Sequence, residues 1–292
     1  MNARSFANFA LPQARVTSLV EPQIQPQSRV QIQAMGVSVV VGDKTLLHPT
    51  SCNFKAGEVT VILGPNGAGK STLMSLLTGE RQPHAGCVLW QARELPSWPT
   101  AELARQRAFV AQETQVAFDF TVRDVVELGR YPHRKHPGAQ EAGISLLAMQ
   151  STHVAELADR TLNTLSGGEK ARVHLARALA QIWESTQQQP NRWLLLDEPT
   201  AALDLQHQHR MLRLARRWAT EQGIGVVAVL HDLNLALRYA DQAVLLAGGH
   251  LLKQGATQDV LTIERIGEVW GVAAHPVLRH GLLQYVFEPH SS

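Results

Sequence analysis

Residues 59–63, VTVIL, lead directly into residues 64–72, GPNGAGKST. The first stretch is apolar enough for both faces to be covered, which is typical of a central parallel strand between helices. The second matches the pattern G-x-x-x-x-G-K-[ST], whose expected place is between a strand and a helix. Its glycines let backbone N–H groups turn toward phosphate oxygens, and the start of the next helix adds a positive field. The predicted nucleotide-binding residues are Gly64, Pro65, Asn66, Gly67, Ala68, Gly69, Lys70, Ser71 and Thr72.

Four side chains are suited to a nucleotide that carries a metal ion. Lys70 can bridge the β- and γ-phosphates, and the Ser71 hydroxyl can ligate Mg²⁺. Downstream, the apolar run Trp193–Leu196 ends in Asp197 and Glu198. We expect Asp197 to hold Mg²⁺, mainly through water, and Glu198 to polarise the attacking water as general base. Two adjacent acids could also be surface charge. The presence in the same chain of the phosphate-binding loop at residues 64–72 (the P-loop) disfavours that interpretation.

A histidine follows the next apolar stretch. His231 comes directly after Gly225–Leu230, 33 residues beyond Glu198. Because the carboxyl ends of parallel strands form the ligand crevice, we expect His231 on the γ-phosphate side. An imidazole there can stabilise developing charge. A lone histidine after a strand is more often structural, but the other motifs favour the functional interpretation.

Residues 165–169, LSGGE, precede a segment with helical spacing. Ser166 and Glu169 have the spacing of a capping box, which alone would explain the motif. Gly167 and Gly168 fall in the first helical turn, where their N–H groups are open to an anion. Both interpretations can hold together, since a capped helix start is also a phosphate site.

Composition excludes several classes of protein. The chain has 292 residues, of which 45% are hydrophobic and 18% charged, so it is expected to fold. A net charge of +2 is too small to indicate a nucleic-acid partner. No run approaches about 20 apolar residues, so we do not expect the chain to cross a bilayer unaided. Cys52 and Cys87 provide neither a disulfide framework nor metal-ligand spacing, as in cytosolic proteins.

The distribution of strand and helix patterns predicts an α/β fold. Residues 1–29 are rich in Gln and Pro and are expected to form a disordered or loosely attached arm. An ATPase-sized domain would follow over residues 30–265, with a helical insertion at about 113–175 and a tail, 266–292, packed on it. Alternating strands and helices after the insertion indicate a mostly parallel core sheet, beside a smaller antiparallel β portion near the N-terminus. The predicted strands are Val30–Ala34, Val37–Val41, Val59–Leu63, Trp193–Leu196, Gly225–Leu230 and Val244–Leu246, with helices at Gln206–Gln222 and Leu233–Tyr239 and a hairpin turn at Gly248-Gly249.

The ordered motifs, together with Gln112 and Ala201–Asp204, resemble those of the ATPase subunits of ABC transporters over roughly residues 30–261. The resemblance implies a P-loop NTPase of ABC type that uses ATP and Mg²⁺. It implies a head-to-tail dimer in which each ATP lies between residues 64–72 of one copy and Ser166, Gly167, Gly168 and Glu169 of the other. Gln112 would touch Mg²⁺ or the attacking water and sense a membrane partner. Ala201–Asp204 would cross the dimer interface.

The same resemblance implies where the protein works. Its partners would be an integral membrane permease dimer and, indirectly, a periplasmic substrate-binding protein, with no nucleic acid. It would lie peripherally on the cytoplasmic face of a bacterial inner membrane. Three positions depart from the family pattern: Glu169 replaces the usual Gln, Ala201 replaces a frequent Ser, and Val41 replaces an aromatic residue that often stacks on adenine.

Residues 125–134, VVELGRYPHR, are similar to the matching segment of importers of iron–siderophores, vitamin B12 and haem. Haem is the expected cargo, with a siderophore or vitamin B12 as the alternatives. We expect the surface near Gln112 and Tyr131–Arg134, including Arg130, to contact the permease. The scattered histidines are not expected to ligate haem. A soluble ABC protein acting on ribosomes or DNA is disfavoured by the single P-loop, and a P-loop kinase leaves residues 165–169 unexplained.

Overall fold

Strands and helices alternate along most of the chain. The computed structural model describes residues 30–112, 119–135, 137–138, 141–184 and 192–289, so the predicted arm at 1–29 lies outside the described residues. The strands are β1 (Val30–Val41), β2 (Lys44–Lys55), β3 (Val59–Leu63), β4 (Ala85–Trp90), β5 (Arg93–Glu94), β6 (Arg107–Val110), β7 (Trp193–Leu196), β8 (Gly225–Val229), β9 (Gln242–Ala247), β10 (His250–Ala256), β11 (Val272–Arg279) and β12 (Leu282–Pro289). The helices are α1 (Lys70–Thr78), α2 (Thr100–Gln106), α3 (Val122–Glu127), α4 (Glu141–Ser151), α5 (Gly167–Gln181), α6 (Leu205–Gln222), α7 (Leu233–Tyr239), α8 (Thr257–Val260) and α9 (Ile263–Trp270).

Two main sheets organise these strands. The larger has the order β10-β9-β3-β8-β7-β6, and all its strands are parallel except β10. The smaller, β2-β1-β4-β5, is antiparallel, and β11 and β12 form a separate hairpin. The predicted α/β fold, with a mostly parallel core sheet and a smaller antiparallel portion, is confirmed.

The core lies on both faces of the parallel sheet. Every residue of β3, β7 and β8 is buried, which explains why these strands are apolar throughout. Alternate residues serve opposite faces: Val61 joins a cluster with α5 and α6, whereas Ile62 joins one with α1 and the antiparallel sheet. Packing on both faces therefore fixes the strands of this sheet.

One local prediction differs from the structure, and several elements were not predicted. The two short strands predicted at Val30–Ala34 and Val37–Val41 are one strand, β1, whose pairing shifts register between Ala34 and Val37. Gly36, with φ of 57°, absorbs the irregularity. The short strand β6 was not predicted, and the C-terminal region contains the amphipathic helix α9 in addition to strands. Gly248-Gly249 does join β9 to β10 as a hairpin turn.

The described residues between 119 and 175 are mainly helical, and α5 continues the insertion without a break to Gln181. Arg130 lies inside this region and is only 7% exposed. Its Nε and Nη2 donate to the two carboxylate oxygens of Glu141 at 2.8 and 2.7 Å, and its Nη1 donates to the Ala180 carbonyl at 2.7 Å. The expectation that Arg130 contacts the permease is therefore wrong, because its side chain is buried and hydrogen-bonds α4 to α5.

The C-terminal hairpin is anchored through one tyrosine. The side-chain amide of Asn234, in α7, donates to the Tyr285 carbonyl at 3.0 Å and accepts from the Tyr285 N–H at 2.8 Å. The Tyr285 hydroxyl donates to the Leu261 carbonyl at 2.8 Å, and burial raises its pKa.

Within the described ranges, none of the helices combines the length and apolar character needed to span a membrane.

Candidate nucleotide site

The predicted P-loop connects β3 to α1, as its motif requires. Gly64 has φ of 149°, and a Cβ there would collide with the Leu246 carbonyl of the neighbouring strand. Gly67 and Gly69 also have positive φ, of 78° and 96°. The Lys70 ammonium donates to the Gly64 carbonyl at 2.9 Å and to the Pro65 carbonyl at 3.0 Å. The loop thus closes around its own lysine, and burial lowers the pKa of that amine.

Sheet order brings the other predicted residues to the same edge. The strands β3, β8, β7 and β6 are adjacent and parallel, so their carboxyl ends lie side by side. The P-loop follows β3, His231 follows β8, Asp197-Glu198 follow β7, and Gln112 follows β6. Residues separated by more than 160 positions in the chain therefore meet in one crevice.

Glu198 is held on both carboxylate oxygens. Gln112 Nε2 donates to Oε2 at 2.8 Å, and His231 Nε2 lies 2.7 Å from Oε1. The backbone of Glu198 has φ of 48°, a left-handed conformation that costs a non-glycine residue about 1 kcal/mol or more. Such strain persists where surrounding contacts over-determine it, and these two side chains supply such contacts. The geometry aims a single carboxylate at the crevice.

Ser71 and Asp197 form an oxygen-rich pair suited to Mg²⁺. The Ser71 hydroxyl is close enough to the Asp197 carboxylate to favour its charged form, while Asp197 Oδ1 is buried without a hydrogen-bond partner. Burial, followed by repulsion from Glu198, raises the pKa of Asp197. A bound cation would satisfy the orphaned oxygen and stabilise the charged carboxylate. In the described residues no three His, Cys, Asp or Glu side chains cluster as a metal cage.

A cleft of about 400 Å³ opens above the P-loop. Glu198 and the motif residues from Asn66 to Thr72 line one side of it. The other side was missed by sequence reasoning: it consists of Lys44, Thr45 and Leu46 from β2 with Gly248 and Gly249. The two consecutive glycines at 248 and 249 are the only sequence signal for this part of the cleft, because they indicate a turn without indicating what it contacts. Val41, at the position of the expected adenine contact, is 51% exposed.

The LSGGE motif begins α5 with a complete capping box. Ser166 Oγ accepts from the Glu169 N–H at 3.3 Å, and Glu169 Oε2 accepts from the Ser166 N–H at 2.8 Å. These bonds lower the pKa of Glu169, so it remains a carboxylate. Ser166 and Gly167 are exposed. None of the described residues lining the P-loop cleft comes from 165–169, so the motif does not complete the site of its own chain.

A second cleft, of about 360 Å³, connects these parts. It is lined by Gln112 and Glu198 on one side and by Gly167, Lys170 and Ala201 on the other. His174, 4% exposed, also borders it, with both ring nitrogens buried and lacking hydrogen-bond partners. The start of α5 and the Ala201–Asp204 segment therefore reach the same surface as the Glu198 crevice.

Together these features define the nucleotide-hydrolysing cassette of an ABC transporter. The family model described as ABC transporter matches residues 47–201. The chain belongs to the ABC transporter family, among its ATP-binding subunits.

Particular relatives narrow this class. The chain is 48% identical over 234 residues to the hemin import ATP-binding protein HmuV of Methylobacillus flagellatus, covering 79% of this chain and 86% of that protein. It is 48% identical over 250 residues to the protein of the same name from Gloeobacter violaceus, covering 85% and 90%. The match to the Rhodococcus jostii protein of that name is 44% over 261 residues, covering 88% and 86%.

Solved structures agree with the fold. An inward-facing metal-chelate type ABC transporter superposes with a TM-score of 0.73 at 26% identity, covering 90% of this chain and 98% of that one. A dimeric bacterial ABC transporter cassette superposes with a TM-score of 0.67 at 27% identity, covering 78% and 99%. The predicted ABC-type P-loop NTPase fold is confirmed.

Proposed function

We propose that this chain hydrolyses ATP to power the import of haem through a separate membrane permease. The observation that carries the ATPase part is the Glu198 carboxylate, held by Gln112 and His231 beside the P-loop. The haem part is supported by the relatives named as hemin import ATP-binding proteins, which are 44–48% identical over most of the chain. An iron–siderophore or vitamin B12 remains the alternative cargo.

The site residues have separable tasks in this proposal. Lys70, freed from the Gly64 and Pro65 carbonyls, binds the β- and γ-phosphates, while the P-loop N–H groups surround them. Glu198 orients the attacking water and draws off its proton. His231 and Gln112 fix Glu198, and His231 can also stabilise charge on the γ-phosphate. Ser71 and Asp197, with Gln112 nearby, would hold Mg²⁺, which would supply positive charge to the phosphates when bound.

A second copy completes the site. Ser166, Gly167 and Gly168 begin α5 at an exposed surface and lie outside the cleft of their own chain. Their N–H groups, at the positive end of a 15-residue helix, are suited to a phosphate presented by another molecule. A head-to-tail dimer would bring this surface against the ATP in the partner's P-loop. The two clefts that meet at Glu198 then lie on one interface.

The permease contact is proposed on the helical insertion. Tyr131 is 62% exposed, and the Arg134 guanidinium lies over its ring at 4.6 Å. An exposed aromatic with an arginine is a common composition of a binding hot spot. The chain would therefore sit on the cytoplasmic face of the inner membrane and serve a periplasmic substrate-binding protein only through the permease.

The test is ATP-driven uptake of haem into proteoliposomes that contain the chain and its permease. The wild-type chain is expected to import haem, and Glu198→Gln is expected to abolish uptake and turnover while still binding ATP. Glu156→Gln, which removes an exposed carboxylate elsewhere, serves as the matched control.

The outcomes separate the two parts of the proposal. ATPase activity without haem uptake would refute haem and move the assignment to a siderophore or vitamin B12. No ATPase activity in the presence of the permease would refute the enzymatic proposal itself. Substantial turnover by Glu198→Gln would remove the role of general base from Glu198.

A further inference from the structure

A third cleft, between α5 and α6, is rich in basic side chains. It has a volume of about 270 Å³ and lies where the end of α4 and the face of α5 meet α6. Six basic side chains line it: His153, Arg172, His207, Arg210, Arg213 and Arg217. Within the described residues, none of the side chains that line the cleft is a carboxylate.

The arrangement along α6 concentrates this charge on one face. His207, Arg210, Arg213 and Arg217 follow one another at spacings of three or four residues, so they project from the same side of the helix. Arg172 faces them from α5. A surface helix can carry such arginines merely for solubility. A concave cleft lined by positive charge differs from such a surface, because it focuses the electric field and raises the local concentration of anions.

In the part of the chain that the structure describes, the arginines that line the cleft, Arg172, Arg210, Arg213 and Arg217, form no salt bridges. Arg172 Nε is buried and has no hydrogen-bond partner, a donor that an anion would satisfy. The two nearby acids are otherwise engaged: Asp204 contacts His207 Nδ1 at 2.8 Å, and Glu169 caps α5.

The floor of the cleft is apolar. Leu175, Met211 and Leu214, all buried, lie beneath the basic rim. Such a floor accommodates the organic body of a ligand, while the rim binds its charged ends. We propose that this cleft is a second anion site, separate from the P-loop, for a small molecule that carries at least two phosphate or carboxylate groups. A ligand there would connect the insertion to α6.

The test measures binding to the full chain while the P-loop is saturated with ADP and Mg²⁺. Two probes distinguish the sources of negative charge: pyrophosphate for phosphates, and haemin, whose porphyrin carries two carboxylates. Isothermal titration is expected to give one probe molecule per chain, with an affinity that falls as salt is raised. The combined variant Arg210→Gln, Arg213→Gln and Arg217→Gln is expected to weaken binding by at least about tenfold.

A matched variant controls for net charge. Arg238→Gln, Lys253→Gln and Arg279→Gln remove the same charge from exposed positions outside the cleft, and binding should change less than about twofold. Pyrophosphate binding alone would identify a phosphate ligand, and haemin binding alone a carboxylate ligand. The proposal is overturned if neither probe binds saturably up to about 1 mM, or if the two triple variants weaken binding equally. Failure of ADP to bind the P-loop would instead count against the proposed function.

Discussion

At the residue scale, Glu198 shows how a strained backbone can serve chemistry. Its left-handed φ is unfavourable by itself, yet Gln112 and His231 clasp both oxygens of its carboxylate. These partners come from two other strand ends, so the position of the base depends on the parallel sheet as a whole.

Replacing His231 should therefore disturb catalysis more than binding. We expect His231→Ala to lower kcat by about 100-fold, because Glu198 loses one of its two holders and the γ-phosphate loses a donor. The affinity for ATP should change by less than about threefold. The measurement is steady-state ATP hydrolysis with the permease, with exposed His84→Ala as the control.

The combined variant Glu198→Gln and His231→Ala tests whether the two residues act as a unit. If they do, the residual single-turnover rate of ATP cleavage in the combined variant should be no slower than the residual rate of Glu198→Gln alone, which lies below detection in steady-state assays. A further large loss in the combined variant would show that His231 acts independently of Glu198.

Also at the residue scale, His174 gives the stability of the protein a dependence on pH. Burial, then the nearby positive charges of Arg177 and Lys170, lower its pKa to about 4. The folded protein thus keeps this histidine neutral, whereas the unfolded chain protonates it near pH 6.5. Between these values the unfolded state binds more protons, so the free energy of unfolding falls as the pH falls.

This sign predicts a measurable acid destabilisation. From about pH 7 to about pH 5, His174 should reduce the free energy of unfolding by about 2 kcal/mol. We expect His174→Leu to remove this contribution and to relieve two unpartnered buried nitrogens. Urea unfolding at the two pH values checks it, with His84→Leu as the exposed control. An unchanged pH slope in His174→Leu would contradict the assignment.

At the scale of elements, the motifs were predictable because each is local. The P-loop, the capping box of α5 and the apolar strands β3, β7 and β8 carry their own signals over four to ten residues. Strand β6 is as short as β7 but begins with Arg107, and its place beside β7 depends on pairing with residues more than 80 positions away. No local pattern contains that information.

Arg130 shows the same limit of prediction from local sequence patterns. Its neighbours in sequence indicate an exposed basic loop, but its partner Ala180 is 50 residues further along. The long-range hydrogen bonds that bury Arg130 arise only once α4 and α5 have packed together. The adjacent Tyr131 is exposed, so one position along the chain separates a structural side chain from a surface one.

Arg130 and Arg134 should consequently behave differently. Arg130→Met removes the charged partner of Glu141 and the side-chain donor to the Ala180 carbonyl and should lower stability by about 3 kcal/mol. Arg134→Glu should leave stability within about 0.5 kcal/mol but weaken association with the permease about tenfold or more. Thermal unfolding and co-purification with the permease measure the two effects, with Lys253→Glu as the control. Normal permease association by Arg134→Glu would place the contact elsewhere.

At the scale of the whole molecule, the helical insertion carries a negative charge at the start of α5. The Glu169 carboxylate lies there, where the helix dipole alone would be positive. Glu169 remains a carboxylate through its bonds to Ser166, close to the proposed position of the partner's ATP. Its negative charge opposes the phosphate that the α5 dipole attracts.

Replacing this carboxylate should favour the dimer. In a Glu198→Gln background, which prevents hydrolysis, we expect Glu169→Gln to tighten ATP-dependent dimerisation about threefold to tenfold. The glutamine keeps the capping box, so the free energy of unfolding should change by less than about 0.5 kcal/mol. Sedimentation velocity with ATP measures the effect, and Glu156→Gln provides the charge-matched control. Equal or weaker dimerisation would show that the Glu169 charge does not oppose the dimer.

The bond pair between Asn234 and Tyr285 has a kinetic consequence. A two-stranded hairpin is marginally stable alone, so most amides of β11 and β12 should exchange with deuterium quickly. The Tyr285 amide instead donates to a side chain of α7, and its ring is buried against the core. This amide should exchange slowly, and its exchange rate reports how often the hairpin detaches from α7. Because Asn234 lies three residues beyond His231, the same exchange rate also reports loosening of α7, the helix that begins beside the proposed γ-phosphate crevice.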